Sequence, residues 1–205
     1  MRLLSKKVFF ADYTFLVSES VYEPAEDSFL FAESLTVKEG DGVLDMGTGC
    51  GILGIIAAEK APKVVAVDIH PQAVRCAKEN AELNGVSDKI FIVHGDLFSA
   101  IKIGQKFDLI LFNAPYLPLA NLANDDWLER AWSGGAGGRQ VIDRFICEAP
   151  KYLNIGGRVF LLQSTLSGFD ETLQKFEENN LKASIIVKRD LPFFETIALF
   201  KAERY

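Results

Sequence analysis

From Gly42 onward, short apolar runs alternate with longer stretches whose apolar residues recur at helical spacing. Runs at 42–46, 63–68, 89–94, 107–112 and 157–163 predict strands, and the stretches near 51–60, 71–84 and 138–149 predict helices. The helix from Pro71 carries proline at its first position, a small apolar face of Ala73, Val74, Ala77 and Ala81, and Gly85 at its end. Phe169, Leu173 and Phe176 mark another helix at spacing i, i+4, i+7. After it, LKASIIVKRDLPFFETIALFKAER reads as two strands joined by a turn around 190–194, too short for a helical crossover and therefore antiparallel. Ahead of Gly42, VFFADYTFLV at 8–17 reads as a small hairpin about Ala11-Asp12, a lid or an edge. Pro24, Glu26 and Asp27 then open a helix that runs to about Leu35.

The alternation predicts an α/β chain: a doubly wound, mostly parallel sheet closed by an antiparallel C-terminal hairpin. With 205 residues, 49% of them hydrophobic and 24% charged, it suits one compact domain. Residues 1–20 form a small N-terminal β extension and 21–205 the core. A net charge of −6 provides no global attraction to nucleic acid. Lys6, Lys7 and Asp12 come too early for a signal-peptide core, and no apolar run approaches membrane-spanning length. Cys50, Cys76 and Cys147 are odd in number and widely spaced, so neither a disulfide framework nor a metal site is expected. The chain reads as cytoplasmic.

The candidate chemistry centres on GVLDMGTGCGILG at 42–54, a strand followed by a sharp turn into a helix. Gly49, Gly51 and Gly54 satisfy the dinucleotide pattern G-x-G-x-x-G, with Asp68 19 residues beyond Gly49. Asp45 and Gly47 extend it to D-x-G-x-G-x-G and place an acid at the strand tip. That carboxylate repels pyrophosphate and suits a cation, such as the sulfonium and amino group of S-adenosylmethionine. Ligands of such sheets bind beyond the carboxyl ends of the strands, and those ends are Asp45–Gly49, Asp68-Ile69, Asp96-Leu97 and Asn113–Tyr116. Asp68 has the chemistry to accept both ribose hydroxyls, and Asp96 that of the adenine amine with the Leu97 backbone beside it. Taken singly, each acid is also an ordinary loop or cap residue.

Asn113-Ala114-Pro115-Tyr116 is the second signal, because a planar nitrogen is a poor nucleophile that needs positioning. The Asn113 side-chain oxygen and the Ala114 carbonyl can each accept one N–H, Tyr116 can stack on the planar group, and Pro115 stiffens the turn. The following loop, 117–138, carries Trp127, Trp132 and four glycines and is long enough to be functional. Arg139, Arg144, Lys151 and Arg158 are offset by Asp143 and Glu148 and read as a solvated face. His70 and His94 receive no role.

These pieces resemble a known family. D-x-G-x-G-x-G is that of class I methyltransferases, for which the sheet order is 3-2-1-4-5-7-6 in a Rossmann-like domain. NAPY at 113–116 is similar to the Asn-Pro-Pro-Tyr signature of enzymes that methylate planar nitrogens, with Ala114 where the family usually has proline. VYEPAEDSF at 21–29 and AWSGGAGGRQVIDRF at 131–145 narrow the resemblance to the HemK-like glutamine N5-methyltransferases of the archaeal and eukaryotic branch. The resemblance covers about Val21 to the end. It implies transfer of a methyl group from S-adenosylmethionine, leaving S-adenosylhomocysteine, to the glutamine of Gly-Gly-Gln in a class 1 translation release factor. It maps Ser28, Asp45, Gly47, Asp68, Asp96, Leu97 and Asn113 onto cofactor contacts, to which the strand-end pattern adds Gly49 and Ile69. Asn113, Ala114, Pro115 and Tyr116 become the catalytic turn, and a small zinc-binding activator subunit becomes an expected partner. An adenine or ribosomal RNA N-methyltransferase would use the same turn, and a nicotinamide enzyme or a non-catalytic adenosyl-binding protein would use the glycine loop alone.

Overall fold

A computed structural model describes residues 5–119 and 127–205. Residues 1–4 of the predicted extension and 120–126 of the predicted 117–138 loop lie outside the described residues. Two compact units are present, Met1–Lys102 and Ile103–Tyr205.

The first unit opens with a hairpin of β1 (Ser5–Phe10) and β2 (Tyr13–Ser18), paired antiparallel about Ala11-Asp12. Helix α1 (Glu26–Ser34) starts two residues after Pro24 with Glu26 and Asp27 in its first turn, where carboxylates oppose the positive helix end. Then β3 (Gly42–Met46), α2 (Ile52–Ala57), β4 (Lys63–Asp68), α3 (Pro71–Leu83) and β5 (Ile90–His94) alternate. β3 pairs parallel with β4, and β4 with β5. Val43, Leu44, Met46, Val64, Ala66 and Val67 are all buried, as expected where helices cover both faces of a parallel sheet.

The hairpin is fastened to α3 in a way the hydrophobic pattern does not reveal. Asn80 and Asn84 lie one helical turn apart, and their amides pair with the free edge of β2 as a neighbouring strand would. Leu16 N donates to Asn80 Oδ1 at 2.7 Å, and Asn80 Nδ2 donates back to Leu16 O at 2.9 Å. Thr14 N and O make the same two-way contact with Asn84, at 3.1 and 2.9 Å. Residues 14 and 16 point their backbone groups to one side of β2, and i, i+4 places both amides on one helix face. Asn80, fully buried, also donates to Cys50 O at 2.8 Å, behind the glycine turn. The hairpin is thus a satisfied edge.

The second unit holds β6 (Phe107–Asn113), α4 (Trp127–Trp132), α5 (Gln140–Glu148), β7 (Leu153–Ser164), α6 (Phe169–Glu178), β8 (Lys182–Asp190) and β9 (Thr196–Glu203). β6 and β7 are parallel, while β9 is antiparallel to both β7 and β8. The expected C-terminal hairpin is therefore present. β7 starts four residues earlier than predicted, at Leu153, with a register shift between Phe107 and Leu109 on its partner. α4 is a short helix within a stretch expected to be loop. β8 alternates exposed and half-buried positions, with Lys182, Lys188 and Arg189 along it, as suits a protected sheet edge. The seven-stranded sheet runs β5-β4-β3-β6-β7-β9-β8, which is 3-2-1-4-5-7-6 when β3 is counted first.

Asn80→Ala withdraws the amide from Leu16 N and from the buried Cys50 O, while Leu16 O still accepts from the Cys76 thiol at 2.8 Å, so a loss of about 2–4 kcal/mol is expected. Urea unfolding measures that loss, and amide exchange at Leu16 should lose protection while β7 keeps it.

Candidate active site

In the first unit the site is built on Asp45, which is 1% exposed at the tip of β3. Its Oδ2 accepts from Thr48 Oγ1 at 2.6 Å and from Gly54 N at 2.9 Å, which ties the strand tip to both the turn and α2. A Cβ on Gly54 would stand 2.8 Å from that oxygen, so only glycine lets the helix backbone reach the carboxylate. Oδ1 is buried and has no hydrogen-bond partner among the described residues. Burial pushes the carboxyl up to about 7, an effect that the Thr48 and Gly54 bonds oppose and the neighbouring Asp68 carboxylate adds to. A cation at Oδ1 restores the charged form.

Gly47 and Gly49 take positive φ of 62° and 57°, turning the chain back so that Gly49 N donates to Asp68 Oδ2 at 2.8 Å. A Cβ on Gly49 would meet nothing within 4 Å, leaving bare backbone beside Asp68. The other oxygen of Asp68 accepts from His70 N at 2.8 Å, and burial raises its carboxyl above the usual range. Each oxygen keeps a second lone pair, so both can still accept a hydroxyl. Ile69, 46% exposed, presents an apolar surface next to it. At the end of β5, Asp96 caps a short 3₁₀ turn, accepting from Ser99 N while its own N donates to Ser99 Oγ. Leu97 follows at φ 47° and is buried. Gly95 N donates to Asp68 O at 2.9 Å, so the ends of β4 and β5 are joined.

Ser28 is buried on α1, and its hydroxyl donates to Asp27 Oδ1 at 3.1 Å. The Tyr22 hydroxyl donates to the same oxygen at 2.8 Å. Asp27, read from the sequence as a helix-start acid, therefore organises the whole VYEPAEDS segment. His70 likewise has a structural part: its Nε2 lies 3.3 Å from Ser20 Oγ, joining the end of the hairpin to the start of α3. His94 Nε2 donates to Ile69 O at 2.9 Å.

In the second unit Asn113 ends β6, with its Oδ1 buried, and Pro115 and Tyr116 follow half-buried. The N–H that Ala114 has and a proline would lack donates to Leu162 O at 3.3 Å. The turn is thus stiffened by a bond to β7 where the family's usual residue would supply a ring. Glycines at 134 and 138 fold the next segment against this turn. A Cβ on Gly138 would be 2.4 Å from Tyr116 O, and Leu117 exchanges backbone bonds with Trp132 O and Gly134 N at 2.8 and 2.9 Å. Arg139 then donates to Ser167 O, to Gly168 O at 2.9 Å and to Thr172 Oγ1 at 3.0 Å, and pairs with Asp143 at 2.7 Å. Arg139 and the buried Arg158 do not belong to the solvated face expected for them; both are committed to the interior.

Two outcomes follow from these geometries. Because the Asp45 carboxyl is raised above its unfolded value, the folded state holds the proton more tightly. The contribution of this carboxyl to stability is therefore full below about pH 4, falls as pH rises toward 7, and levels off above it. Asp45→Asn should remove most of that fall, leaving the part due to Asp68, in thermal melts of the two proteins compared from pH 4 to 8. Arg139→Ala should lower the denaturant midpoint by withdrawing a charged donor from four oxygens, and Arg139→Lys, with one point charge in place of a fork, should restore only part of it.

Known proteins resemble this arrangement along nearly its whole length. The family model for ribosomal protein L11 methyltransferase (PrmA) matches residues 28–136. A putative protein N5-glutamine methyltransferase of Methanocaldococcus jannaschii is 45% identical over 181 residues, covering 87% of this chain and 90% of the relative. The human methyltransferase HEMK2 is 31% identical over 193 residues, 88% of each chain. The solved E. cuniculi Mtq2-Trm112 complex, responsible for methylation of the eRF1 translation termination factor, matches at TM-score 0.69 and 27% identity over 91% of this chain and 99% of that one. With an acid-tipped glycine turn, a strand-end Asn113–Tyr116 turn and this degree of identity to both, the chain belongs to the HemK-like protein N5-glutamine methyltransferases.

Proposed function

We propose that the protein methylates the side-chain amide of the glutamine in the Gly-Gly-Gln motif of a class 1 translation release factor, with S-adenosylmethionine as methyl donor. The observation that carries the acceptor chemistry is the Asn113–Tyr116 turn, fixed from behind by the Ala114–Leu162 bond and the Gly138 approach. The donor fits the first unit on an equally specific point: a buried Asp45 oxygen without a partner next to open glycine backbone, where a cation is favoured and a phosphate is not. The Methanocaldococcus jannaschii relative is named for N5-glutamine methylation, and the solved complex for methylation of a termination factor, which supports the substrate.

Asp45, Gly47 and Gly49 would hold the amino acid end of the cofactor, Asp68 its ribose, and Asp96, Leu97 and Ile69 its adenine, with Ser28 completing the contacts. Bound there, S-adenosylmethionine supplies an electrophilic methyl carbon and leaves as the neutral thioether. An amide nitrogen is weakly nucleophilic because its lone pair is delocalised into the carbonyl. Asn113 Oδ1 and the Ala114 carbonyl would each accept one of its N–H bonds, which orients the nitrogen and stabilises the positive charge it gains on methylation. Tyr116 would stack on the amide plane, and Pro115 would keep the two acceptors at a fixed separation. The surplus proton leaves to water after transfer, so no strong base is needed beforehand. A small zinc-binding activator subunit is part of this proposal, since the solved structural relative is itself a two-protein complex. The cytoplasm, where release factors act, is the compartment it requires.

Purified protein, S-adenosylmethionine and a class 1 release factor, with and without a small zinc-binding partner, should yield one methyl group on the Gly-Gly-Gln glutamine by mass spectrometry. Asn113→Ala should abolish transfer while leaving the cofactor Kd within about threefold, whereas Asp68→Ala should raise that Kd at least tenfold, or about 1.4 kcal/mol. Cofactor binding without any methyl gain on the factor in either condition would move the assignment to another substrate.

A further inference from the structure

The connection between β8 and β9 carries a surface that the chemistry above does not use. β7 lies beside β6 with Leu162 opposite Asn113, and β9 begins beside the end of β7, with Ile197 opposite Ser164. Thr196 N donates to Thr165 Oγ1 at 3.1 Å, which ties the β8–β9 connection to the turn after β7. Three successive strands of the second unit therefore bring the Asn113–Tyr116 turn, the Thr165–Ser167 turn and residues 191–195 to one rim. The connection is closed by Leu191 N donating to Glu195 O at 2.8 Å, and its tip is Phe193-Phe194. Their side chains are 97% and 105% exposed, and Leu166 on the neighbouring turn is 48% exposed.

Both phenylalanines also adopt left-handed backbone, with φ of 63° and 64°. That region is uncommon for any residue with a Cβ and is an outlier for a bulky one, whereas glycine would occupy both positions without strain. Two adjacent aromatic residues are thus kept in an unfavourable conformation while contributing nothing to the core. Strain of this kind concentrates where a surface is used for binding. Paired aromatic rings are the usual anchors of a protein contact, each offering about 150–250 Å² to a partner.

We infer that Phe193 and Phe194, with Leu166 beside them, form a docking surface for the folded protein substrate, engaging its exterior away from the glutamine being methylated. The inference rests on the proposed function. The substrate is favoured over other occupants because the surface continues the rim on which the acceptor turn sits. The acceptor turn, moreover, reads only a planar amide, a group every glutamine presents, so discrimination of one protein has to come from contacts outside it.

The test compares the wild type with Phe193→Gly/Phe194→Gly, a substitution that suits the left-handed backbone and so spares the fold, on two substrates. One is an intact class 1 release factor; the other is a short peptide containing Gly-Gly-Gln. The expected result is a KM for the intact factor raised about tenfold or more with kcat little changed, and unchanged kinetics on the peptide, cofactor Kd and melting temperature. An unchanged KM for the intact factor overturns the docking role while leaving the proposed function in place. A loss of equal size on the peptide overturns it too, because the rings then serve the acceptor turn. A wild type that forms dimers dissolved by the substitution, with unchanged KM, makes the pair a self-association surface and also overturns it. Failure of the wild type to methylate the factor overturns the substrate assignment and this inference together.

Discussion

A single buried carboxylate sets the geometry of the first unit. Asp45 is taken out of water at the tip of β3 and holds the turn through Thr48 and the start of α2 through Gly54. Removing a carboxylate from water is unfavourable, and its second oxygen is left without a partner, so the group sits at about 7 and not in the ordinary carboxylate range. The glycines follow from this constraint. Gly54 is required because a side chain would collide with Asp45, and Gly47 and Gly49 because the chain must turn back within three residues to give Gly49 N to Asp68. The strand tip, the turn and the end of the neighbouring strand are one bonded assembly.

The second unit reaches a fixed site by other means. Its Asn113–Tyr116 turn is held from three directions by backbone. Ala114 N is bonded to β7, Leu117 is bridged to the segment around Ser133, and Gly138 lies against the Tyr116 carbonyl. Arg139 gathers the Ser167 and Gly168 carbonyls of the turn after β7 and the Thr172 hydroxyl of α6, which keeps that segment in place. Under the proposed function, methylation of an amide would depend on positioning more than on proton transfer, and rigidity of this turn is what that role calls for. The departure from the usual proline at 114 is compensated by the one thing alanine has and proline lacks, an N–H.

Strand boundaries at 42–46 and 63–68, the α3 helix from Pro71, and the antiparallel closure were legible from residue order alone. These features are local: an apolar run, a proline at a helix start, a connection too short for a crossover. The strand-end positions Asp45, Asp68, Asp96 and Asn113 were legible for the same reason, since a parallel sheet puts the residue after each apolar run on one rim. The roles of Asn80, Asn84 and Arg139 were not legible. Their partners are 64, 70 and 28 to 33 residues away in the chain, and an asparagine on a helix or an arginine after a glycine run has no periodicity to betray a buried bond.

Sequence by itself determined the order of elements, the antiparallel end of the sheet and the residue types at the rim, because each depends on neighbours within a turn or a strand. Tertiary structure decided which lone pairs are occupied. It alone left one oxygen of Asp45 without a hydrogen bond among the described residues, turned Asp27 from a helix-start charge into an acceptor for Tyr22 and Ser28, and brought two phenylalanines to the surface on the strand-end rim of the second unit. Hydrogen-bond satisfaction and solvent exposure are properties of groups distant in the chain and close in space, so they exist only once the chain has folded.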